Sequence, residues 1–216
     1  MKDRLVLWGA SGHALVVADI VRQQGRYEVA GFLDDLRPER RGAAFCGGTI
    51  LGGREQFPEL VRRGVRTMVV AVGDCAARLT LAAAAGAAGF RLVAAVHPRA
   101  VIAEGVPIGA GSVVCAGVVV NPGATIGANV ILNTGATVDH ECVIQDGVHL
   151  GPGVHLGGKV TVGRAAWLGI GALVKDYVTI GPSTIVGAGA AVLEDLPASV
   201  VAYGIPAKVV RRLAPA

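Results

Sequence analysis

The 216-residue chain lacks paired cysteines, dense basic runs and a long apolar stretch near its amino terminus. Its four cysteines, Cys46, Cys75, Cys115 and Cys142, are scattered without Cys-x-x-Cys spacing, so neither a zinc site nor a disulfide framework is indicated. Only four apolar residues precede the first glycine turn, too few for a signal peptide or a membrane span. The 32 glycines follow no Gly-x-y period, which excludes collagen. We therefore expect a folded cytoplasmic protein with no membrane segment.

Basic residues are in excess only in the first part of the chain. Residues 1–97 hold 13 basic and 9 acidic side chains, whereas residues 98–216 hold 7 of each. No dense Lys/Arg run accompanies this net charge of +4, so a nucleic-acid surface is not expected. The most basic stretch, residues 37–41, is interpreted as a solvent-exposed loop. The modest positive balance instead suits a small ligand that carries phosphate.

A six-residue repeat fills the second half of the chain. Sixteen aliphatic residues follow one another at intervals of six from Ile102 to Val192, and a small residue stands four positions after each in fifteen of the sixteen hexads. This period fits neither a helix nor a hairpin sheet. It predicts a triangular β-solenoid in which three hexads close a coil of 18 residues, with a little over five coils in all.

Residues 18 positions apart should therefore lie over one another in adjacent coils. Gly151, Gly169 and Gly187 form one such column, with Asn133 at its head. The column is either a groove without side chains, where a long thin ligand approaches backbone amides, or simply a row of tight corners. The same spacing places two further pairs over one another, Gly158 over His140 and Trp167 over His149.

The first half of the chain alternates strands and helices. The pattern predicts three strands and two helices, at Arg4–Trp8, Ala14–Gln23, Tyr27–Asp34, Thr67–Val72 and Ala76–Ala88. This order is typical of a small Rossmann-like βαβαβ domain with a parallel sheet. With a boundary near His97-Pro98, the fold class is α/β followed by an all-β solenoid, in domains 1–97 and 98–216.

A glycine loop joins the first strand to the first helix and makes a candidate anion site, because unpaired amides and the helix dipole would face it. Its candidate ligand-binding residues are Gly9, Ser11, Gly12 and His13. Asp34 and Asp35 end the second strand, where a carboxylate can accept hydrogen bonds from a ribose or a base edge. An ordinary strand-ending turn is the alternative. Residues 36–53 are interpreted as a loop.

Five segments together resemble the NeuD/PglD-type sugar acetyltransferases, which are hexapeptide-repeat enzymes. The segments are GASGHALVVADIV at 9–21, FLDD at 32–35, HP at 97–98, NTGATVDHECVI at 133–144 and GIPAK at 204–208. The resemblance implies a left-handed parallel β-helix and a homotrimer with active sites between subunits. It also implies an acetyl-CoA-dependent N-acetyltransferase acting on the 4-amino group of a nucleotide-linked 4-amino-4,6-dideoxy sugar, with UDP favoured and GDP-perosamine possible. A sialic-acid-type O-acetyltransferase is the near alternative.

His140 and Glu141 are the candidate catalytic pair. Their hexad neighbours Val138 and Cys142 occupy inward positions, so both side chains should lie on an outward corner. An amine must lose a proton before it attacks a thioester, and an imidazole suits that task. Glu141 would fix the imidazole tautomer. By resemblance His140 is the general base and Glu141 its partner, whereas a surface histidine in a turn is the alternative.

The resemblance assigns the remaining candidate residues to the two substrates. Asn133 would lie near the reacting amine, His149 would hold the acetyl carbonyl, and the Gly158 N–H would bind its oxygen. Further acetyl-CoA contacts would come from the glycine column and the segment 203–208, at Gly169, Gly187, Pro206 and Lys208. A basic last turn of helix is the other interpretation of the carboxy-terminal segment.

Two functions of other classes stay open. His140, His149 and His155 offer three imidazoles for a metal-dependent lyase of the γ-carbonic anhydrase kind, which would leave the glycine-loop domain unexplained. A nucleotide-binding scaffold without catalysis would not need the His–Glu pair. No metal is expected, and transfer should be direct, because Cys142 points inward and Cys115 has no evident partner.

Overall fold

The computed structural model describes residues 2–214 of the chain. Contacts between Cα atoms divide the chain between Pro98 and Arg99 into two compact units. No helix among the described residues is long and apolar enough to cross a membrane.

The first unit is a parallel α/β sheet with helices packed against it. Its elements in chain order are β1 (Asp3–Trp8), α1 (Gly12–Gln24), β2 (Tyr27–Leu33), β3 (Ala44–Phe45), β4 (Gly48–Gly52), α2 (Phe57–Arg62), β5 (Thr67–Val70), α3 (Cys75–Ala87), β6 (Arg91–Leu92) and β7 (Ala95–Val96). The sheet runs in the order β3-β4-β2-β1-β5-β6. All of its pairs are parallel except β3 with β4. The predicted Rossmann-like fold is confirmed, with element boundaries within two residues of those expected.

The strands β1, β2 and β5 lie in the middle of the sheet, and the apolar residues at the carboxyl ends of all three are buried on both faces. Trp8, at the end of β1, contributes the largest of the fully buried side chains. Its ring packs edge-on against Phe57, with 5.0 Å between ring centroids. The core thus fixes the carboxyl ends of the central strands, where the glycine loop begins.

The interpretation of residues 36–53 as a loop is wrong for its second half, which forms the hairpin β3–β4. Cys46 and Gly47 are the two turn residues, with φ values of 46° and 67°. Two left-handed residues match the twist of a tight hairpin. The sequence gives only a weak signal for this hairpin, because β3 has only two residues and Ile50 is the one fully buried side chain of β4.

The second unit is a left-handed parallel β-helix, as predicted. Its strands of two residues are β8 (Val101–Ile102), β9 (Val113–Val114), β10 (Val119–Val120), β11 (Thr125–Ile126), β12 (Ile131–Leu132), β13 (Thr137–Val138), β14 (Val143–Ile144), β15 (His149–Leu150), β16 (His155–Leu156), β17 (Thr161–Val162), β18 (Trp167–Leu168), β19 (Leu173–Val174), β20 (Thr179–Ile180), β21 (Ile185–Val186) and β22 (Ala191–Val192). From β8 to β19, each strand pairs in parallel with the strand 18 residues further on, for example Leu132 with Leu150.

The strands form three flat faces of a prism. Face 1 contains β9, β12, β15, β18 and β21, face 2 contains β8, β10, β13, β16, β19 and β22, and face 3 contains β11, β14, β17 and β20. The second residue of each strand and the small residue four positions later point inward. Cys142, for example, is fully buried between Val138 and Ile144. Since each coil visits the faces in the order 1, 2, 3, the corner between faces 2 and 3 lies opposite face 1.

A hairpin ends the described chain. Strands β23 (Val200–Gly204) and β24 (Ala207–Arg212) pair antiparallel and extend face 1. The alternative of a last helical turn for this basic segment is therefore wrong. β24 is the last strand of its sheet, and its exposed basic residues are typical of an edge strand.

Candidate functional site

The predicted catalytic pair lies at the corner between faces 2 and 3. His140 and Glu141 form the turn that follows β13, and Glu141 has a left-handed φ of 57°. Their side chains are 53% and 57% exposed, while Cys142 is buried. The hexad pattern dictates this arrangement, because inward Val138 and Cys142 leave only the corner for the residues between them.

The imidazole of His140 is held on two sides. Its Nδ1 lies 3.2 Å from Oε2 of Glu141. Because a carboxylate only accepts hydrogen bonds, this contact assigns the proton of the neutral imidazole to Nδ1 and leaves the lone pair on Nε2. Gly158 stacks directly over the ring, and a Cβ built on it would lie 2.5 Å from Nε2. Within residues 2–214 the Gly158 N–H donates to no group.

Charged neighbours surround this pair. Lys159 Nζ lies 3.5 Å from Oε2 of Glu141, and the hydrogen bond from His140 together with this ammonium lowers the pKa of Glu141. Asp139 accepts hydrogen bonds from Asn121 Nδ2 at 2.8 Å and from the His140 N–H at 2.6 Å, which lowers the pKa of Asp139. Both carboxyl groups are therefore ionised around neutral pH, and the corner combines two anions with one lysine.

A second group of predicted residues lies on face 1 and at its edge. Asn133 Nδ2 is 3.3 Å from Nε2 of His149. Trp167 pairs with His149 across strands β15 and β18, with ring centroids 6.4 Å apart. The ring contact and the amide fix the orientation of the imidazole. This group and the His140 corner lie on opposite sides of the prism within one chain.

The glycine column is present, and it is a packing requirement. A Cβ on Gly151 would lie 2.8 Å from the Leu168 carbonyl oxygen, and one on Gly187 would lie 2.6 Å from Cβ of Tyr203. The amides of Gly151, Gly169 and Gly187 all donate to carbonyl groups of the next coil. These N–H groups are therefore not free to donate to a ligand along the column, and the acetyl-CoA contacts expected at Gly169 and Gly187 stay predictions.

The carboxy-terminal candidates are exposed. Pro206 lies in the turn between β23 and β24, and Lys208 Nζ is 3.9 Å from Oε2 of Glu194. His155 lies on face 2, where its Nδ1 contacts Thr137 Oγ1 at 2.8 Å. The three histidines of the metal-dependent alternative thus do not converge within one chain. Among residues 2–214 no cluster of three or more metal-binding side chains is found.

The first unit has a cavity of about 380 Å³ at the carboxyl ends of β1, β2 and β5. Gly9, Ser11, Asp34 and Asp35 line it, whereas Gly12 and His13 stand outside the lining, in the first turn of α1. Glycine is required at position 9, where φ is 139° and a Cβ would lie 2.5 Å from the Ala71 carbonyl oxygen. A cleft in this place is where open α/β sheets bind their ligands.

Two arginines with no predicted ligand role, Arg37 and Arg54, line this cavity, and a third, Arg40, contacts residues of its lining. The buried carboxylate of Asp34 pairs with Arg37 at 3.1 Å and with Arg40 at 3.0 Å. Both guanidinium groups also donate to the carbonyl oxygen of Ala10 in the glycine loop. The interpretation of residues 37–41 as a solvated loop is therefore wrong for Arg40, which is half-buried, whereas Arg37 is ion-paired but exposed.

The second aspartate holds a third arginine. Asp35 Oδ2 lies 2.8 Å from Arg54, whose guanidinium carbon is 5.4 Å from the centroid of the Trp8 ring. Together the two aspartates orient three arginines, of which Arg37 and Arg54 line the cavity. The signal that could have indicated this is an acidic pair followed directly by a basic run.

Comparison with known proteins agrees with this architecture. Residues 4–85 match the PglD N-terminal domain family. PerB from Caulobacter crescentus, solved in complex with CoA and GDP-perosamine, is 43% identical over 98% of this chain and 99% of its own, with a TM-score of 0.92. A histidine-to-alanine mutant of the GDP-perosamine N-acetyltransferase from that organism was also solved with both ligands, at 42% identity, 98% coverage of each chain and a TM-score of 0.93. The acetyltransferase domain of PglB from Neisseria gonorrhoeae, solved with acetyl coenzyme A, is 35% identical over 97% of this chain and 100% of its own, with a TM-score of 0.91.

Proposed function

The chain belongs to the NeuD/PglD-type family of sugar acetyltransferases, and from this premise we propose that it acetylates the 4-amino group of a nucleotide-linked 4-amino-4,6-dideoxy sugar. It is an acetyltransferase that uses acetyl-CoA as the acetyl donor and a nucleotide-linked sugar amine as the acceptor. GDP-linked perosamine is the first acceptor to test, because the relatives at 42% and 43% identity were solved with it. The UDP preference expected from the sequence has no support from Asp34 and Asp35, since both carboxylates are paired with arginines.

The observation that carries the proposal is the orientation of His140. With Nδ1 donating to Glu141, the unprotonated Nε2 faces the space below Gly158, where no side chain intervenes. Nε2 would accept the proton that the sugar amine loses as its nitrogen bonds to the acetyl carbon. The Gly158 N–H, free among the described residues, would donate to the developing oxyanion. When the carbon–sulfur bond breaks, the imidazolium would return its proton to the departing CoA thiolate.

The cavity of the first unit would hold the nucleotide. Arg37, Arg40 and Arg54 supply guanidinium groups that suit a diphosphate, and Asp34 and Asp35 hold them in place. Gly9 and Ser11 would border the phosphates, and the apolar wall would take the base. Under this proposal the aspartates act by orienting the arginines.

The acceptor is tested by measuring CoA release from acetyl-CoA. The purified protein receives GDP-perosamine, a UDP-linked 4-amino-4,6-dideoxyhexose and free sialic acid in parallel. Turnover with a 4-amino sugar, and N-acetylation of the product by mass spectrometry, would support the proposal. Turnover with sialic acid alone would replace it with O-acetylation.

We further propose a homotrimer with active sites between subunits. The support is the separation, within one chain, of the His140 corner from Asn133 and His149 on the opposite side of the prism. Only a second copy could bring the two groups together. Co-expressing a His140→Asn copy with a His149→Ala copy should restore roughly a quarter of wild-type activity, since each mixed trimer then holds one complete site. If each site is built from a single chain, mixing the two variants restores nothing.

A further inference from the structure

The catalytic corner carries a column of long side chains. Glu141, Lys159 and Tyr177 follow one another in successive coils, with left-handed φ values of 57°, 60° and 65°. The other left-handed positions of the described β-helix hold glycine, alanine, serine or asparagine. Left-handed backbone disfavours residues with large side chains. Within the described β-helix such residues occupy left-handed positions only at this corner, which indicates that their side chains serve a function there.

Lys159 contacts the catalytic pair through both its backbone and its side chain. Its N–H donates to the His140 carbonyl oxygen at 2.9 Å. Its Nζ lies 3.5 Å from Oε2 of Glu141, the same atom that is 3.2 Å from His140 Nδ1. The Lys159 ammonium also lies 5.4 Å from the centroid of the Tyr177 ring. The ammonium and the imidazole are therefore within about 7 Å of each other.

We propose that Lys159 is a positioning residue that keeps His140 in its neutral, proton-accepting form by sharing the carboxylate of Glu141. This rests on the proposed role of His140 as the base. Two effects of the ammonium have the same sign. It repels a positive imidazolium, and it neutralises part of the Glu141 charge that would stabilise that imidazolium. Both disfavour the imidazolium relative to the neutral imidazole.

The other groups near His140 act in the opposite direction or not at all. Asp139, whose carboxylate is held by Asn121, favours the imidazolium, whereas Asp176 lies two coils above His140, against Gly157. Tyr177 carries no charge at neutral pH. Among residues 2–214, Lys159 is thus the cation that faces this corner and offsets two carboxylates.

The test is the pKa of His140, measured directly by NMR on protein with carbon-13-labelled histidine. The chain has five histidines, and the His140→Asn spectrum assigns the His140 signal. In Lys159→Met, which preserves side-chain length, the pKa of His140 should rise by roughly half a unit, the Coulomb effect of a unit charge about 7 Å away in water. Lys159→Arg should restore the wild-type value, and Lys175→Met should leave it unmoved.

In Lys159→Met, the acidic limb of the profile of kcat/KM against pH should shift to higher pH by the same amount as the pKa of His140. A His140 pKa that stays within 0.1 unit of wild type, or that falls, overturns the proposal. So does a loss of rate that is equal at every pH, which would indicate a purely structural role. If His140→Asn keeps full activity, the proposal that His140 is the base is wrong. The NMR titration still shows whether Lys159 changes the pKa of the His140 imidazole.

Discussion

Replacing Gly158 by alanine should lower the rate of catalysis while leaving the stability of the fold almost unchanged. The new Cβ would lie 2.5 Å from Nε2 and 2.7 Å from Cε1 of His140, with no backbone atom among its nearest contacts. The exposed imidazole must therefore move by about 1 Å to reach ordinary contact distance. A displacement of this size in a catalytic group costs roughly 100-fold in rate, or about 2.7 kcal/mol of transition-state stabilisation. Stability should change by less than about 1 kcal/mol, because only a flexible side chain shifts.

The matched controls are two other glycines. Gly151→Ala places its Cβ 2.8 Å from the Leu168 carbonyl oxygen, so the backbone must move and the protein should lose about 1–3 kcal/mol of stability. Gly86→Ala, in α3, meets nothing within 4 Å and should be neutral or stabilising by up to about 1 kcal/mol. CoA release measures kcat/KM, and urea denaturation measures stability. A Gly158→Ala protein within twofold of wild-type kcat/KM would refute the stacking argument.

Two further predictions concern the first unit and the thiols. Asp34→Asn should raise KM for the nucleotide sugar and cost about 1–3 kcal/mol in urea denaturation, because Arg37 and Arg40 lose their shared carboxylate; unchanged KM and stability would contradict the assigned ion pairs. Burial raises the pKa of Cys115 to about 11, so its thiol stays protonated and unreactive at pH 8. Iodoacetamide should then modify half-buried Cys46 first, as peptide mass spectrometry can show, and faster labelling of Cys115 would contradict its burial.

The β-helix could be predicted almost strand by strand because its interior admits only one pattern. Each hexad must place an aliphatic and a small residue inward at fixed positions. The six-residue period of the sequence therefore follows directly from the packing inside the prism. The same spacing placed Gly158 over His140 and Trp167 over His149, and both pairs are present. One more step of 18 residues, from Glu141 to Lys159, would have found the lysine at the catalytic corner.

The nucleotide unit was predictable in outline only. Its central strands carry continuous apolar runs, but the hairpin β3–β4 is too short for any periodicity to show. The pairing of Asp34 with Arg37 and Arg40 depends on how the chain turns after β2, which is set by tertiary contacts rather than local sequence. Both carboxylates therefore resembled ligand-binding groups in the sequence, although in the structure they hold arginines.

The most direct test of the account is the pH dependence of acetyl transfer by wild-type protein and by His140→Asn, with GDP-perosamine as acceptor in single-turnover conditions. If Nε2 of His140 removes the proton of the amine, the variant should lose at least about 100-fold in the rate of the chemical step. The part of the acidic limb that belongs to the imidazole should disappear with it. A variant that transfers acetyl groups at a rate close to wild type, with the same pH profile, would contradict the central claim.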